Sequence, residues 1–413
     1  MRHNPLLSHF RLPYLSAISP ETPPPTKTTM LPLERRATFS LASIFALRML
    51  GLFLVLPVFA LEARKLPGGD DVQLVGLAMG VYGLTQGILQ IPFGMASDRF
   101  GRKRVMVLGL AIFALGSMVA AWAPTLAWLA VGRAVQGAGA ISAAVTALIA
   151  DQTRDSVRTK AMALVGASIS LVFALSLVLS PLLNAQVGLQ GLFLITGLLA
   201  SAGIAVVLWW VPPEPAVHAA PGREGLGRVL RDAALLRLDA GAFILHAVQF
   251  AMWMAVPAML VQAGLDKSAH WQVYLPAVLG SFVVMGATLF PLEKRGYLRV
   301  VFLSAIGLIA LVQLGLLYNA THTPTLAMLA VLMLAFFCGF NILEASQPSM
   351  ASRLAPAHSR GAALGVYNTL QSLGFFAGGA MGGWVLGHYG AGGLFASCAA
   401  LMVLWLAVAW PMA

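Results

Sequence analysis

The sequence predicts an all-α membrane protein: twelve transmembrane helices in two pseudo-symmetric six-helix bundles. Three observations carry that expectation. The 413-residue chain is 59% hydrophobic and only 10% charged, whereas a soluble domain carries about 25% charged residues. Its apolar residues fall into twelve runs, each near the ~20 residues that cross a bilayer as a helix. The segment Arg158-Thr-Lys-Ala-Met-Ala-Leu-Val-Gly166 also recurs in weakened form as Ser359-Arg360-Gly-Ala-Ala-Leu-Gly365, about 202 positions later. That repeat divides the chain six plus six.

Taken in order, residues 1–37 are proline-rich, with a Pro-Pro-Pro and Thr-rich run and no helical pattern. This composition is that of a disordered cytoplasmic tail. Pro13 and Pro20 interrupt its first apolar run, so a signal peptide is not expected. Translation begins either at Met1 or at Met30, which directly precedes a short basic segment and the first span. The N-terminal bundle, 38–211, has spans at 39–61, 72–93, 105–122, 126–150, 160–184 and 188–211. A cytoplasmic linker, 212–237, holds Pro212, Pro213, Pro215, Pro221 and four arginines. The C-terminal bundle, 238–413, has spans at 239–263, 270–292, 300–318, 325–350, 361–387 and 392–410.

Orientation follows from the basic residues. The tail and the loops near 100, 155, 225, 296 and 356 hold 21 Lys and Arg, against three (Arg64, Lys65, Lys267) on the other side. The excess marks the cytoplasmic face and puts both termini there, in a bacterial inner membrane. The formal charge of +11 therefore sits in short loops and reflects topology, not a nucleic-acid partner. Cys338 and Cys398 both lie in apolar segments, where inert thiols are expected, with no disulfide framework and no metal site.

Small residues four apart let helices approach closely in lipid. Span 2 carries Gly76, Gly80, Gly83 and Gly87, and span 11 carries Gly374, Gly378, Gly382, Gly383 and Gly387. Between spans 2 and 3 the chain reads Gly94-Met-Ala-Ser-Asp98-Arg99-Phe-Gly101-Arg102-Lys103-Arg104. Nothing in a soluble core requires an acid, four bases and two glycines in one short turn.

Inside the spans, charge is scarce. Of 15 acidic residues, fourteen fall in loops, tails or helix ends, and Glu344 in span 10 is the exception. An ionisable group at that depth costs roughly 3 kcal/mol or more and usually marks an ion pathway. Glu344 lies about seven residues, or roughly 10 Å, from the cytoplasmic end of its span. His246 is about seven residues into span 7 and so at similar depth, and Arg48 in span 1 is slightly deeper, able to pair with Glu344 in one state. Arg133 is seventeen residues from Ala150, roughly 25 Å along the helix, too far for Glu344. Gln249, Trp253, Asn341 and Gln371 add polar or aromatic groups that serve either a cavity or interhelical hydrogen bonds.

The loop at 94–104 resembles the cytoplasmic loop between helices 2 and 3 of the major facilitator superfamily of transporters, G-x-x-x-D-R-x-G-R-K/R. From about 38 to 410 the chain resembles the YajR-like branch of the drug:proton antiporter group. The supporting residues are Leu47-Arg48-Met-Leu-Gly51 with Leu56-Pro57, Tyr82-Gly83-Leu-Thr85-Gln86 with Gln90-Ile-Pro92, Leu245-His246, Phe340-Asn341-x-x-Glu344 and Gly365-Val-Tyr367. YajR carries a small C-terminal cytoplasmic domain, which is expected to be absent here because the sequence ends just after span 12. The resemblance implies that spans 2 and 11 form a gate, built around Gly94, Asp98, Arg99, Gly101, Arg102 and Lys103, with Asp98 latching against the start of helix 11. It implies that helices 1, 4, 7 and 10 line the cavity, so that His246 and Glu344 face one another as a proton relay. It also matches Arg133-Ala-Val-Gln136-Gly137 to the R-x-x-Q-G motif linked to proton coupling. One departure is in span 5, where the group's G-P-x-x-G-G motif is replaced by Ser180-Pro181-Leu-Leu-Asn184-Ala185.

These features lead to the expectation of a monomeric, proton-coupled secondary transporter with no cofactor beyond the proton gradient. Export of small amphipathic molecules is the first reading, import of a metabolite the second, and a non-transporting sensor a remote third. An enzyme would need a nucleophile–base pair, a metal cluster or a nucleotide loop, and the spans offer one carboxylate and one histidine. With Arg48, Arg133 and Glu344 as cavity charges, an anionic or neutral substrate is as well accommodated as a cation.

Overall fold

The structure is a computed structural model that describes residues 29–214, 227, 229–355 and 360–411. The expectations for residues 1–28 and for most of the linker lie outside the described residues. In chain order the long helices are α1 (Pro32–Ala63), α2 (Val72–Phe100), α3 (Arg102–Ala121), α4 (Leu126–Ala138), α5 (Ser142–Gln152) and α6 (Asp155–Ala205). They continue as α7 (Ala233–Gln262), α8 (Trp271–Lys294), α9 (Leu298–Thr321), α10 (Leu326–Leu354) and α11 (Arg360–Ala409). Local chemistry sets several starts. Asp71 accepts from the backbone N–H groups of Gln73 and Leu74, and Asp232 accepts from those of Ala234 and Leu235. Both satisfy orphan donors of a first turn. α1 begins at Pro32, inside the segment expected to be tail, and α7 begins at Ala233, six residues before the expected start of its span.

α6 and α11 run 51 and 50 residues, about 75 Å at 1.5 Å per residue, far longer than a ~30 Å hydrocarbon core. Each is broken in the middle, at Gly188 (φ 66°, ψ −175°) and Gly390 (φ 67°, ψ −173°). Only glycine takes that backbone freely. Each long helix is therefore two spans, and the described residues hold twelve in all. The two breaks stand 202 positions apart, the same offset as the sequence repeat, so the halves share a backbone plan. Span 4, expected to be continuous over 126–150, is instead interrupted between α4 and α5. There a Cβ at Gly139 would run into the Gly109 carbonyl of α3: close backbone approach has won over helix continuity.

The glycine stripes divide differently from the expectation. Gly76, Gly80 and Gly83 of α2 do press against the α11 backbone, where a Cβ at Gly76 would sit 2.7 Å from Gly383 Cα and one at Gly80 would sit 2.7 Å from the Phe376 carbonyl. On α11, Gly379, Gly383 and Gly387 meet α2, while Gly374, Gly378 and Gly382 face α7 at Phe243, Ala247 and Ala251. Span 11 is thus tight on two faces, one toward each half.

This contact is concentrated on the outer side. Lys267 of the outer 3₁₀ turn Lys267–Ala269 approaches Glu62 of α1 at 3.8 Å, joining the halves. Phe173 of α6 meets Phe337 of α10 edge-on at 6.0 Å. Toward the inner side, a Cβ at Gly94 would meet only Ala143 of α5, and one at Gly365 of α11 would meet nothing within 4 Å. These contacts join the halves at their outer ends, and the space beside Gly365 on the inner side is open. Exposed Trp122, Trp128 and Trp384 ring the outer ends of the helices, and Trp209, Trp210 and Trp410 the inner ends, the aromatic belts expected at two membrane interfaces.

Candidate functional site

α7, α10 and α11 each project one polar side chain to a common point. His246 Nε2 lies 3.0 Å from Glu344 Oε2, and Gln371 Nε2 lies 2.8 Å from His246 Nε2 and 3.2 Å from Glu344 Oε1. His246 is 2% exposed, wedged edge-on between the rings of Phe340 and Phe375, whereas Glu344 is 36% exposed. His246 Nδ1 is 2.8 Å from the Ala242 carbonyl. A carbonyl only accepts, so Nδ1 carries a hydrogen. In the neutral imidazole Nε2 then carries a lone pair, which accepts from the Gln371 amide at 2.8 Å and lies 3.0 Å from Glu344 Oε2, itself without an aligned hydrogen bond. Two acceptors at that distance repel; a proton on the carboxyl turns the contact into an attraction. The arrangement can accept one proton, and Glu344 is partly exposed. Gln371, expected as a cavity group, belongs to this cluster.

Arg48 does not turn toward Glu344. It donates to Tyr82 Oη at 2.8 Å and to Gln86 Oε1 at 3.0 Å, within the N-terminal half. Arg133 donates to Gln136 Oε1 at 2.8 Å, and Gln136 passes the bond on to Ser117 at 2.8 Å. Its guanidinium lies 4.8 Å from the Tyr82 ring centroid and 5.8 Å from that of Phe59. Tyr82 thus holds Arg48 at its hydroxyl and Arg133 at its face. Among the described residues no carboxylate pairs with either arginine, so two buried cations rest on neutral acceptors and π clouds.

The other expected cavity groups contact neighbouring helices. Asn341 donates to Ser281 Oγ of α8 at 2.7 Å, and Trp253 meets Tyr274 of α8 edge-on at 5.3 Å. Gln249 is buried on α7. Glu344 is also not the only interior acid. Asp239 of α7 is 3% exposed. Placing the start of span 7 at 239 made it a helix-end residue, but α7 starts at Ala233, which puts Asp239 roughly 9 Å inside the helix. The cap signal at Asp232 was the clue.

At the basic face, Gly101 takes φ +98° and turns α2 into α3. Asp98 pairs with Arg102, one turn along, and Arg102 also reaches Asp151 at the end of α5 at 3.0 Å and Ser97 Oγ at 2.9 Å. Glu214, from the linker, accepts from the backbone N–H groups of Arg102 and Lys103, both at 2.8 Å. A carboxylate on the first turn of α3 complements its dipole. Lys103 Nζ donates to the Val211 carbonyl at 3.0 Å, and Arg99 lies over Phe100. Gly94 lies beside Ala143. The segment 356–359 that leads into α11, where Asp98 was expected to latch, lies outside the described residues. Sequence reading missed Asp151 and Glu214 because neither belongs to the local motif. Glu214 stands between Pro213 and Pro215, distant in sequence from the turn it caps.

Comparison with known proteins agrees with this fold. The profile of the Major Facilitator Superfamily matches residues 41–379. The inner membrane transport protein YajR of Escherichia coli (strain K12) is 41% identical, over 93% of this chain and 84% of its own length. The multidrug resistance protein MdtH of Yersinia enterocolitica is 28% identical, over 82% of this chain and 83% of its own length. Among solved structures, a D-xylose-proton symporter superposes with a TM-score of 0.73 at 15% identity, covering 91% of this chain and 97% of that one. That last likeness is one of fold.

Proposed function

The chain belongs to the Major Facilitator Superfamily of membrane transporters, and from that premise we propose that it is a proton-driven exporter of small amphipathic molecules. It works by alternating access in a bacterial inner membrane, with the basic loops in the cytoplasm. The observation that carries this reading is the His246–Glu344–Gln371 cluster, whose 3.0 Å contact is attractive only when a proton is bound. In the outward-facing state the cluster takes a proton from outside. In the inward-facing state the partly exposed Glu344 gives it to the cytoplasm, and substrate moves the other way. Export is favoured by the MdtH relatives, which are named multidrug resistance proteins. Arg48 and Arg133, without acidic partners among the described residues, favour an anionic or neutral substrate over a cationic one.

The test is transport in proteoliposomes that enclose a pH dye, with an imposed pH gradient and a panel of anionic and neutral amphiphiles. Wild type is expected to exchange protons for at least one compound. Glu344→Gln is expected to lower the pH-driven rate by about a hundred-fold or more while the protein stays folded. An unchanged pH dependence in that variant removes Glu344 from coupling.

A further inference from the structure

The same three helices carry a second polar layer. Asp239 precedes His246 by seven residues on α7, Gln347 follows Glu344 by three on α10, and Tyr367 precedes Gln371 by four on α11. Each spacing returns to the same helix face. α7 and α11 run outward and α10 runs inward, so all three shifts point toward the basic face, by about 5–10 Å at 1.5 Å per residue. The layer is buried: Asp239 and Tyr367 are each 3% exposed and Gln347 is fully buried. The Tyr367 hydroxyl donates to Gln347 Oε1 at 3.3 Å. Asp239 Oδ2 and Gln347 Nε2 have no hydrogen-bond partner.

We propose that Asp239 is a second proton-binding site, an inner station on the basic side of Glu344. The proposal rests on the reading that the coupling ion is a proton. A buried carboxylate with no cation costs several kcal/mol to keep ionised, and a bound proton removes that cost. Among the described residues, the helices packed against α7 supply no cation to it. α11 brings Tyr367, α10 brings Glu344, and the interior charge of α1, Arg48, is bonded to Tyr82 and Gln86.

The test is infrared difference spectroscopy of the full-length protein in lipid, stepped between acidic and alkaline buffer. Two interior carboxyl bands are expected, one lost in Glu344→Gln and the other in Asp239→Asn. Asp239→Glu is expected to restore the second band at a displaced frequency, and that displaced band makes the assignment if the Asn variant does not fold. A carboxyl region unchanged by both Asp239 substitutions overturns the inner station. A pH-insensitive Glu344 band beside a responsive Asp239 band overturns the coupling role of Glu344 instead, and leaves Asp239 as a proton site.

Discussion

The two halves of the molecule repeat one backbone plan and fill their interiors with opposite chemistry. Gly188 and Gly390 break the long helices with nearly the same φ and ψ. Yet the N-terminal interior is cationic, with Arg48 and Arg133 gripped by Tyr82, Gln86 and Gln136. The C-terminal interior is titratable, with His246 against Glu344 and Asp239 two turns inward. A guanidinium keeps its charge at any physiological pH, whereas imidazole and carboxyl groups can change theirs. One half therefore supplies a constant field and the other a variable one. Symmetry of the backbone carries no symmetry of function.

Substitutions can strain that division. His246→Gln is expected to have the largest effect. It keeps a polar group beside Gln371 but removes the imidazole that faces Glu344, so transport should lose its response to an imposed pH gradient, read as a flattened rate-versus-pH profile in proteoliposomes. A profile of wild-type shape would assign the switch elsewhere. Arg48→Lys is next. A single ammonium cannot reproduce the fork that reaches both Tyr82 and Gln86, and a charged hydrogen bond contributes about 1.5–3 kcal/mol. Thermal unfolding should shift downward by a corresponding amount, with the shape of the pH profile unchanged. A displaced profile would mean that the two halves share one titration. Glu214→Gln should matter least. It weakens a cap on α3 worth about 0.3–1 kcal/mol, seen as a small drop in the unfolding midpoint at low salt and a smaller one at high salt.

Legibility from sequence differed between these regions for physical reasons. The loop at 94–104 was legible because its contacts are local: Asp98 and Arg102 are one helical turn apart and Gly101 makes the turn itself. The remote acids that complete it, Asp151 and Glu214, come from 49 and 112 residues away and leave no local mark. His246 and Glu344 could be placed at one depth by counting residues along two helices. Arg48 could not be placed the same way, because depth says nothing about which way a helix is turned, and α1 is turned to aim it at α2. Asp239 was lost to an end-of-helix assignment that the Asp232 cap would have corrected.

The amino-acid order determined the membrane class, the number of spans and the repeat, because bilayer thickness, backbone hydrogen bonding and charge asymmetry act on local runs of residues. Folding in three dimensions decided the rest. It chose which glycines of span 11 face α2 and which face α7, broke span 4 where the backbones of α3 and α4 meet, and joined the halves at their outer ends. It also brought a histidine, a glutamate and a glutamine from three helices to within 3.2 Å of one another. Each of those outcomes depends on helix rotation and on contacts between residues far apart in the chain, and no local pattern encodes a rotation.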